Sequence, residues 1–160
     1  MKLGERNLLL GIAAVMIVLM LVNGYRQSGV TAQDKEIPFY TTASHDLQQK
    51  GGMLYKRLRC KSCHSLWSVR DIMRTVPAPA LDGMGSLRDR KWLYDYFSAR
   101  DPQSIIPSRL KKEYQMPSYA DLPDEERQLL ADYISSLKVQ DWYLDKARAA
   151  ECRKLTGEDC

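Results

Sequence analysis

Residues 60–64 read Cys60-Lys61-Ser62-Cys63-His64 and carry the clearest chemistry in the chain. The two residues between the thiols allow both sulfur atoms to face one edge of a porphyrin, where each can add to a vinyl group. The histidine that follows can turn its ring under the iron as an axial ligand. This C-x-x-C-H pattern is the attachment signal of a c-type haem. It predicts one covalent haem c, bound by Cys60, Cys63 and His64, with His64 as a ligand of the metal.

Two other uses of the same cysteines remain as weaker alternatives. A zinc site usually needs four ligands, arranged as two C-x-x-C pairs or as two cysteines with two histidines. The chain has four cysteines and two histidines, and Cys152 and Cys160 lie far from the motif. A redox-active dithiol usually sits in a βαβ unit, and no run of buried strands is evident nearby.

The N-terminal segment is apolar and differs from the rest of the chain. Leu8 to Val22 is an unbroken apolar run, preceded by Lys2 and Arg6. Only one basic residue, Arg26, follows the run closely. The excess of basic residues before the run favours an N-terminus in the cytoplasm. We therefore expect a transmembrane anchor over residues 1–25, crossing the bacterial cytoplasmic (inner) membrane once, with the remainder on the periplasmic or outer side. Cleavage as a signal peptide after Val30-Thr31-Ala32 is the alternative.

The remaining pattern predicts a small all-α domain. Residues 26–44 are polar and suit a flexible tether, residues 45–138 form the predicted haem domain, and residues 139–160 are a C-terminal extension. Apolar residues at helical spacing predict a helix from near Ser44 to Cys60, a short helix around residues 92–97 and a longer helix starting at residues 121–124. Prolines exclude regular helix over residues 76–81 and predict a long connection over residues 102–117.

These features together resemble the class I cytochrome c family over roughly residues 44–138. The family pattern consists of a helix with a glycine and an aromatic residue, the C-x-x-C-H motif, a proline loop, a Met-Pro loop and a final helix with an aromatic residue. The matching positions are Gly51, Tyr55, Cys60 to His64, Ala78-Pro79-Ala80-Leu81, Met116-Pro117 and Tyr133. The resemblance implies that the first and last helices cross closely, with Gly51 or Gly52 against Tyr133.

The resemblance also implies roles for individual residues. Met116 is the expected second axial ligand, with Met73 and Met84 as competitors and His45 as a much weaker one. A carbonyl beside Pro79 is expected to accept the N–H of His64. Arg88, Arg90 and Trp92 match positions that contact haem propionates, although either arginine could equally be solvated.

The expected function is one-electron transfer by a membrane-tethered monohaem cytochrome c in a bacterial respiratory or photosynthetic chain. It would be an electron carrier and not an enzyme. A tightly bound cytochrome c subunit of a larger complex is the main alternative, because the chain is also similar to such subunits of cbb3-type oxidases and nitric oxide reductases. A haem-based sensor or peroxidase would need an open distal position.

The charge distribution bears on the partners. The chain has a net charge of +4, and its cations cluster in residues 50–74 and 109–112. These groups either steer an acidic docking face of a redox partner, such as a membrane respiratory complex, or form a solvated basic face. Nucleic acid is not an expected partner. Cys152 and Cys160 can form a disulfide in an oxidising compartment, but they can also stay free or pair between chains.

Overall fold

The computed structural model describes residues 3–28, 37–67, 69, 76 and 78–160 of the chain. They divide into two compact units, Met1–Ile37 and Pro38–Cys160. Met73, one of the competing methionines, and the basic residues Arg70 and Arg74 lie outside the described residues.

The described residues of the first unit form helix α1 (Leu3–Ser28), apart from Ile37. Its apolar side chains between Leu10 and Val22 are exposed, each by about half or more of its surface. Within the described part of the chain, no helix combines the length and the hydropathy that a membrane span requires. The predicted transmembrane anchor is therefore not supported by the structure.

The second unit is mainly helical, which agrees with the predicted fold class. Its helices are α2 (His45–Arg57), α3 (Met84–Leu87), α4 (Arg90–Ser98), α5 (Asp124–Ser135) and α6 (Leu144–Thr156). Ser44 caps α2 by accepting a hydrogen bond from the Leu47 N–H, and Asp89 caps α4 in the same way through the Trp92 N–H. Three acidic residues in the first turn of α5 suit the positive end of the helix dipole. The sequence predicted α2, α4 and α5 within a few residues.

The first and last helices of the predicted domain cross at Gly51, as the resemblance implies. A Cβ atom at Gly51 would lie 2.5 Å from Tyr133 Cβ and 2.8 Å from Tyr133 Cδ2, whereas one at Gly52 would lie 4.0 Å from the Tyr133 hydroxyl. The missing side chain thus allows Tyr133 to lie directly on the backbone of α2. Leu54 and Leu130 are buried beside this crossing, which gives the domain its apolar core.

The tether prediction is wrong for its last residues. Phe39–Thr41 form strand β1, which pairs antiparallel with strand β2 (Leu137–Val139), directly after α5. The Thr42 N–H also donates to the Ser136 carbonyl at 3.0 Å. Residues 38–44 are therefore part of the folded unit, and the domain contains a two-stranded sheet that the all-α prediction lacked. Residues 29–36 lie outside the described residues.

The C-terminal extension also belongs to the second unit. It forms a 3₁₀ turn (Asp141–Tyr143) and α6, and Cys152 and Cys160 are joined by a disulfide. The Tyr143 ring packs edge-on against the Phe39 ring, with 5.6 Å between centroids. The apolar start of the extension thus docks onto the protein's own β1.

Candidate functional site

The C-x-x-C-H segment follows α2 through a sharp turn. Arg59 has a left-handed backbone (φ 57°), and Cys60–Ser62 then form a 3₁₀ turn. The His64 N–H donates to the Cys60 carbonyl at 2.9 Å, and the Tyr55 hydroxyl donates to the His64 carbonyl at 3.4 Å. These bonds close the motif into a compact loop that presents its two thiols and its imidazole together.

The orientation of His64 is set by the loop at Pro79. Nδ1 of His64 lies 2.7 Å from the Pro79 carbonyl oxygen, which can only accept a hydrogen bond. The proton is therefore on Nδ1, and Nε2 carries the lone pair that a metal requires. The Leu81 N–H donates to the Ser65 carbonyl at 2.9 Å and ties the same two segments together. The hydrogen bond that the resemblance implied is thus present, on the carbonyl of Pro79 itself.

Met116 lies on the long connection between α4 and α5. Two glutamine side chains hold this connection: Gln103 Nε2 donates to the Met116 carbonyl at 3.0 Å, and Gln115 Nε2 donates to the Leu110 carbonyl at 2.8 Å. The Met116 side chain is partly buried and packs against the core. Of the two competing methionines, only Met84 lies among the described residues, and it is buried in the core.

A cavity of about 370 Å³ joins these segments, a size typical of small-molecule and cofactor sites. Of the predicted site residues, six line it: Cys60, Cys63, His64, Pro79, Trp92 and Met116. Most of the remaining wall is apolar or aromatic and includes Leu58, Leu81, Met84, Leu93, Tyr96, Phe97, Ile106, Tyr119, Leu130 and Ile134. The structure thus brings the C-x-x-C-H motif and the Met-Pro loop, more than 50 positions apart in the sequence, to one apolar chamber.

Three polar side chains of the chamber, Cys60, Tyr96 and Tyr119, are desolvated by burial. Burial raises the pKa of the Cys60 thiol to about 11, and a hydrogen bond with Tyr119 acts in the opposite direction. Burial also raises the pKa of Tyr96 to about 12 and that of Tyr119 above its ordinary range. Both phenols are therefore neutral at physiological pH and can serve as hydrogen-bond donors without adding charge to the chamber.

The two predicted arginine contacts lie elsewhere. The Arg90 guanidinium pairs with Asp132 on α5, and its side chain is 50% exposed. Arg88 pairs with Glu151 at 3.2 Å and lies over the Trp92 ring at 5.1 Å. Neither arginine is among the residues that line the chamber. The prediction that they contact propionates therefore receives no support, because carboxylates of the protein already pair with both cations.

Sequence reasoning missed several lining residues. Tyr119 follows Met116 by three positions and could have been found from its place beside the Met-Pro pair. Arg59 and Arg109 were grouped only as members of basic clusters, but both line the chamber. The extension contributes Glu151, Lys154 and Leu155, for which the sequence carried no signal.

The chamber fits a covalently held haem. Cys60 and Cys63 are free thiols within it, and the tautomer of His64 leaves Nε2 as the basic nitrogen. The wall is mostly apolar, as a macrocycle requires, and the Met116 thioether is a soft ligand suited to haem iron. Among the described residues, no cluster of three or more His, Cys, Asp or Glu side chains has the arrangement of a metal site. A four-ligand zinc site is therefore not supported in that part of the chain.

Comparison with known proteins identifies the family. The family model for cytochrome c matches residues 48–138, which is more than half of the chain. The chain belongs to the cytochrome c family. No curated protein and no solved structure matches it.

Family membership has direct consequences for this cytochrome. It is a class I c-type cytochrome that binds one covalently attached haem c. It is an electron carrier and not a classical enzyme, and its partners are redox proteins. The matched segment begins inside α2 and ends in β2, so that it contains the whole C-x-x-C-H motif and the Met-Pro loop, but not α6.

Proposed function

We propose that this cytochrome c transfers one electron at a time through a haem attached to Cys60 and Cys63, with His64 and Met116 as axial ligands. The observation that carries the proposal is the single chamber lined by these four side chains. Haem iron supplies the one-electron chemistry when it is bound. The protein supplies the attachment, the two ligands and an apolar wall.

The contacts around the two ligands support electron transfer over substrate chemistry. The Pro79 carbonyl holds the His64 ring in one orientation, and Gln103 holds the backbone of Met116. If both residues ligate the iron, no coordination position would stay open for a substrate, and a sensor or a peroxidase would need such a position. A methionine opposite a histidine also raises the reduction potential relative to two histidines.

The matched variants Met116→Leu and Met84→Leu test the ligand assignment. Both substitutions conserve volume and both side chains line the same chamber, so that their effects on packing should be similar and small. Met116→Leu should abolish the charge-transfer band of methionine-ligated ferric haem and lower the midpoint potential. Met84→Leu should leave both unchanged. A retained band in Met116→Leu, or its loss in Met84→Leu alone, would exclude Met116 as the ligand.

The thiols can be tested by haem staining of a denaturing gel. Cys60→Ala and Cys63→Ala should each lose one covalent link to the cofactor, and the double variant should lose all covalently retained haem stain. Cys152→Ser serves as the matched control, because Cys152 is bonded to Cys160 and should leave the stain intact. Covalent stain in the double variant would refute the attachment.

We further propose that the protein is tethered by its N-terminal segment to the outer face of a bacterial cytoplasmic membrane. The exposed apolar side chains of α1 support this attachment, since they need a nonaqueous environment or a partner surface. Washing isolated membranes at high pH and high salt tests it: the cytochrome should stay in the membrane fraction, and a variant lacking residues 1–25 should be released. Release of the full chain would refute the tether.

The proposed partners present an acidic surface near the haem. Arg59 and Arg109 both line the chamber, and Lys56 and Lys61 are exposed near the motif. Cations at this position would steer an acidic protein toward the haem edge, at a rate that falls with ionic strength. A haem-stained native gel of gently solubilised membranes distinguishes two arrangements. A band at the size of the single chain supports a tethered shuttle, and a band that migrates with a large oxidase or reductase supports a dedicated subunit.

A further inference from the structure

The C-terminal extension contributes to the haem chamber although it lies outside the segment that the family model matches. Three residues of α6 line the chamber: Glu151, Lys154 and Leu155. They are spaced as one face of a helix requires. The extension can therefore act on the groups that line the haem chamber. Two contacts that it makes with the rest of the domain indicate how.

The first contact fixes α6 to the segment between α3 and α4. The Glu151 side chain is 11% exposed and pairs with Arg88 at 3.2 Å. Arg88 in turn lies over the Trp92 ring, which lines the same chamber. An ion pair with so little exposure on the acidic side is screened less by solvent than a surface pair. This ion pair fixes the middle of α6 against Arg88.

The second contact joins the end of α6 to the loop that carries Met116. A Cβ atom at Gly157 would lie 3.0 Å from Arg109 Cζ and 3.2 Å from Arg109 Nε, and Gly157 has a left-handed backbone (φ 84°). The guanidinium of Arg109 therefore rests on the turn that ends α6. Arg109 belongs to the same connection as Met116 and is followed by Leu110, whose carbonyl accepts the hydrogen bond from Gln115.

The turn at Gly157 is closed covalently. The disulfide between Cys152 and Cys160 spans it, at a sequence separation of 8, and Arg153 pairs with Asp159 at 3.3 Å across the same turn. The chain on both sides of Gly157 is thus held together. The disulfide closes residues 152–160 into a ring, and Gly157, which contacts Arg109, belongs to this ring.

We propose that residues 144–160 form a strap that holds the Met116 loop against the haem. Arg109, Gly157 and the Cys152–Cys160 disulfide are positioning residues, since they act on Met116 through the loop and not by touching the iron. This inference rests on the proposed role of Met116 as axial ligand. If the strap is loosened, the loop spends more time away from the iron, and an external ligand can take the vacated position.

Imidazole binding to the ferric protein measures how often the Met116 loop is away from the iron. The apparent association constant of imidazole equals its intrinsic value multiplied by the fraction of molecules in which the methionine is detached from the iron. Arg109→Ala and the double variant Cys152→Ser/Cys160→Ser should raise the apparent association constant by roughly tenfold, because each removes one element that closes the loop. Lys111→Ala removes an exposed cation of the same loop and should leave the constant unchanged.

The same titration in a Met116→Leu background separates the possible outcomes. Without the methionine there is nothing for imidazole to displace, so that Met116→Leu alone should raise the association constant and the strap variants should add nothing. If Met116→Leu has no effect, the proposed ligand is wrong. If it has an effect but the strap variants match Lys111→Ala, the strap is refuted and the ligand stands. An equal increase in both backgrounds also refutes the strap, because the effect then bypasses Met116. Gly157→Ala provides an independent variant if the double cysteine variant fails to fold.

Discussion

The crossing of α2 and α5 allows a sharp test of how the domain is held together. Gly51 and Gly52 are adjacent in α2, but only Gly51 faces Tyr133 closely: a Cβ atom there would lie 2.5 Å from Tyr133 Cβ, against 4.0 Å from the hydroxyl for Gly52. Tyr133 is only 5% exposed and has little space to withdraw. Gly51→Ala and Gly52→Ala are therefore the same substitution in two steric environments.

The expected magnitude comes from the difference between the two variants. Alanine in place of glycine inside a helix stabilises it by about 0.5–1 kcal/mol, and this contribution is common to both. Overpacking a buried contact costs about 1–3 kcal/mol, and this cost applies to Gly51→Ala alone. The free energy of unfolding should thus be lower for Gly51→Ala than for Gly52→Ala by about 1–3 kcal/mol.

Guanidinium unfolding of the haem-loaded protein, followed by circular dichroism, gives both values. The slope against denaturant should stay the same, since the surface exposed on unfolding does not change. Gly52→Ala should be at least as stable as the wild type. Equal stability of the two variants would refute the close crossing, and with it the position of α5 against the helix that leads into Cys60.

Three further predictions concern side chains around the chamber. Asp89→Ala removes the cap of α4, whose carboxylate accepts from the Trp92 N–H at 2.7 Å; it should lower the free energy of unfolding by about 1 kcal/mol in denaturant titrations. Arg90→Ala breaks an exposed pair with Asp132 and should leave the midpoint potential unchanged in a redox titration; a clear shift would restore Arg90 as a haem contact. Burial raises the pKa of the Glu151 carboxyl above its ordinary value of 4.5, and the charge of Arg88 opposes this only in part, so that the folded protein loses stability as the pH rises through the folded-state pKa of this group. The stability of Glu151→Gln relative to the wild type should therefore be greater at neutral pH than below pH 4.5, in unfolding measured at both.

The parts of the site that could be predicted are those that depend on residues close together in the sequence. The C-x-x-C-H motif has a fixed spacing, because both thiols must reach one porphyrin edge and the histidine must follow at once. The hydrogen bond from His64 to the Pro79 loop was implied by the family resemblance and not by local spacing. The roles of Arg88 and Arg90 could not be inferred in the same way. Their partners, Glu151 and Asp132, are 63 and 42 positions away, and a charged side chain in a sequence does not indicate which opposite charge will meet it.

The two flanks of the predicted domain, residues 38–44 and the C-terminal extension, also depend on contacts with distant parts of the chain. Residues 39–42 are Phe-Tyr-Thr-Thr, residue types that favour strands, but β1 is too short to show an alternating pattern. It is ordered by pairing with β2 almost 100 positions later, and the local sequence does not indicate that partner. The extension lies beyond the family pattern, so that the resemblance implied no role for it at the haem, but α6 lines the chamber.

Strand β2 is the element that makes this return possible. It begins two residues after α5 ends, and it is fixed on one side by β1 and on the other by α3: the Val139 N–H donates to Ser86 Oγ at 3.1 Å, and Lys138 Nζ donates to the Gly85 carbonyl at 2.6 Å. Gly85 lies against the Ser135 carbonyl at the end of α5, where a Cβ atom could not be accommodated. Helix α3 follows directly after the loop that orients His64. Since α3 contacts both β2 and the end of α5, the direction in which the chain leaves α5 depends on the position of that loop. The position of α6, and through Gly157 that of the Met116 loop, therefore depends on the contacts that α3 makes with β2 and with the end of α5.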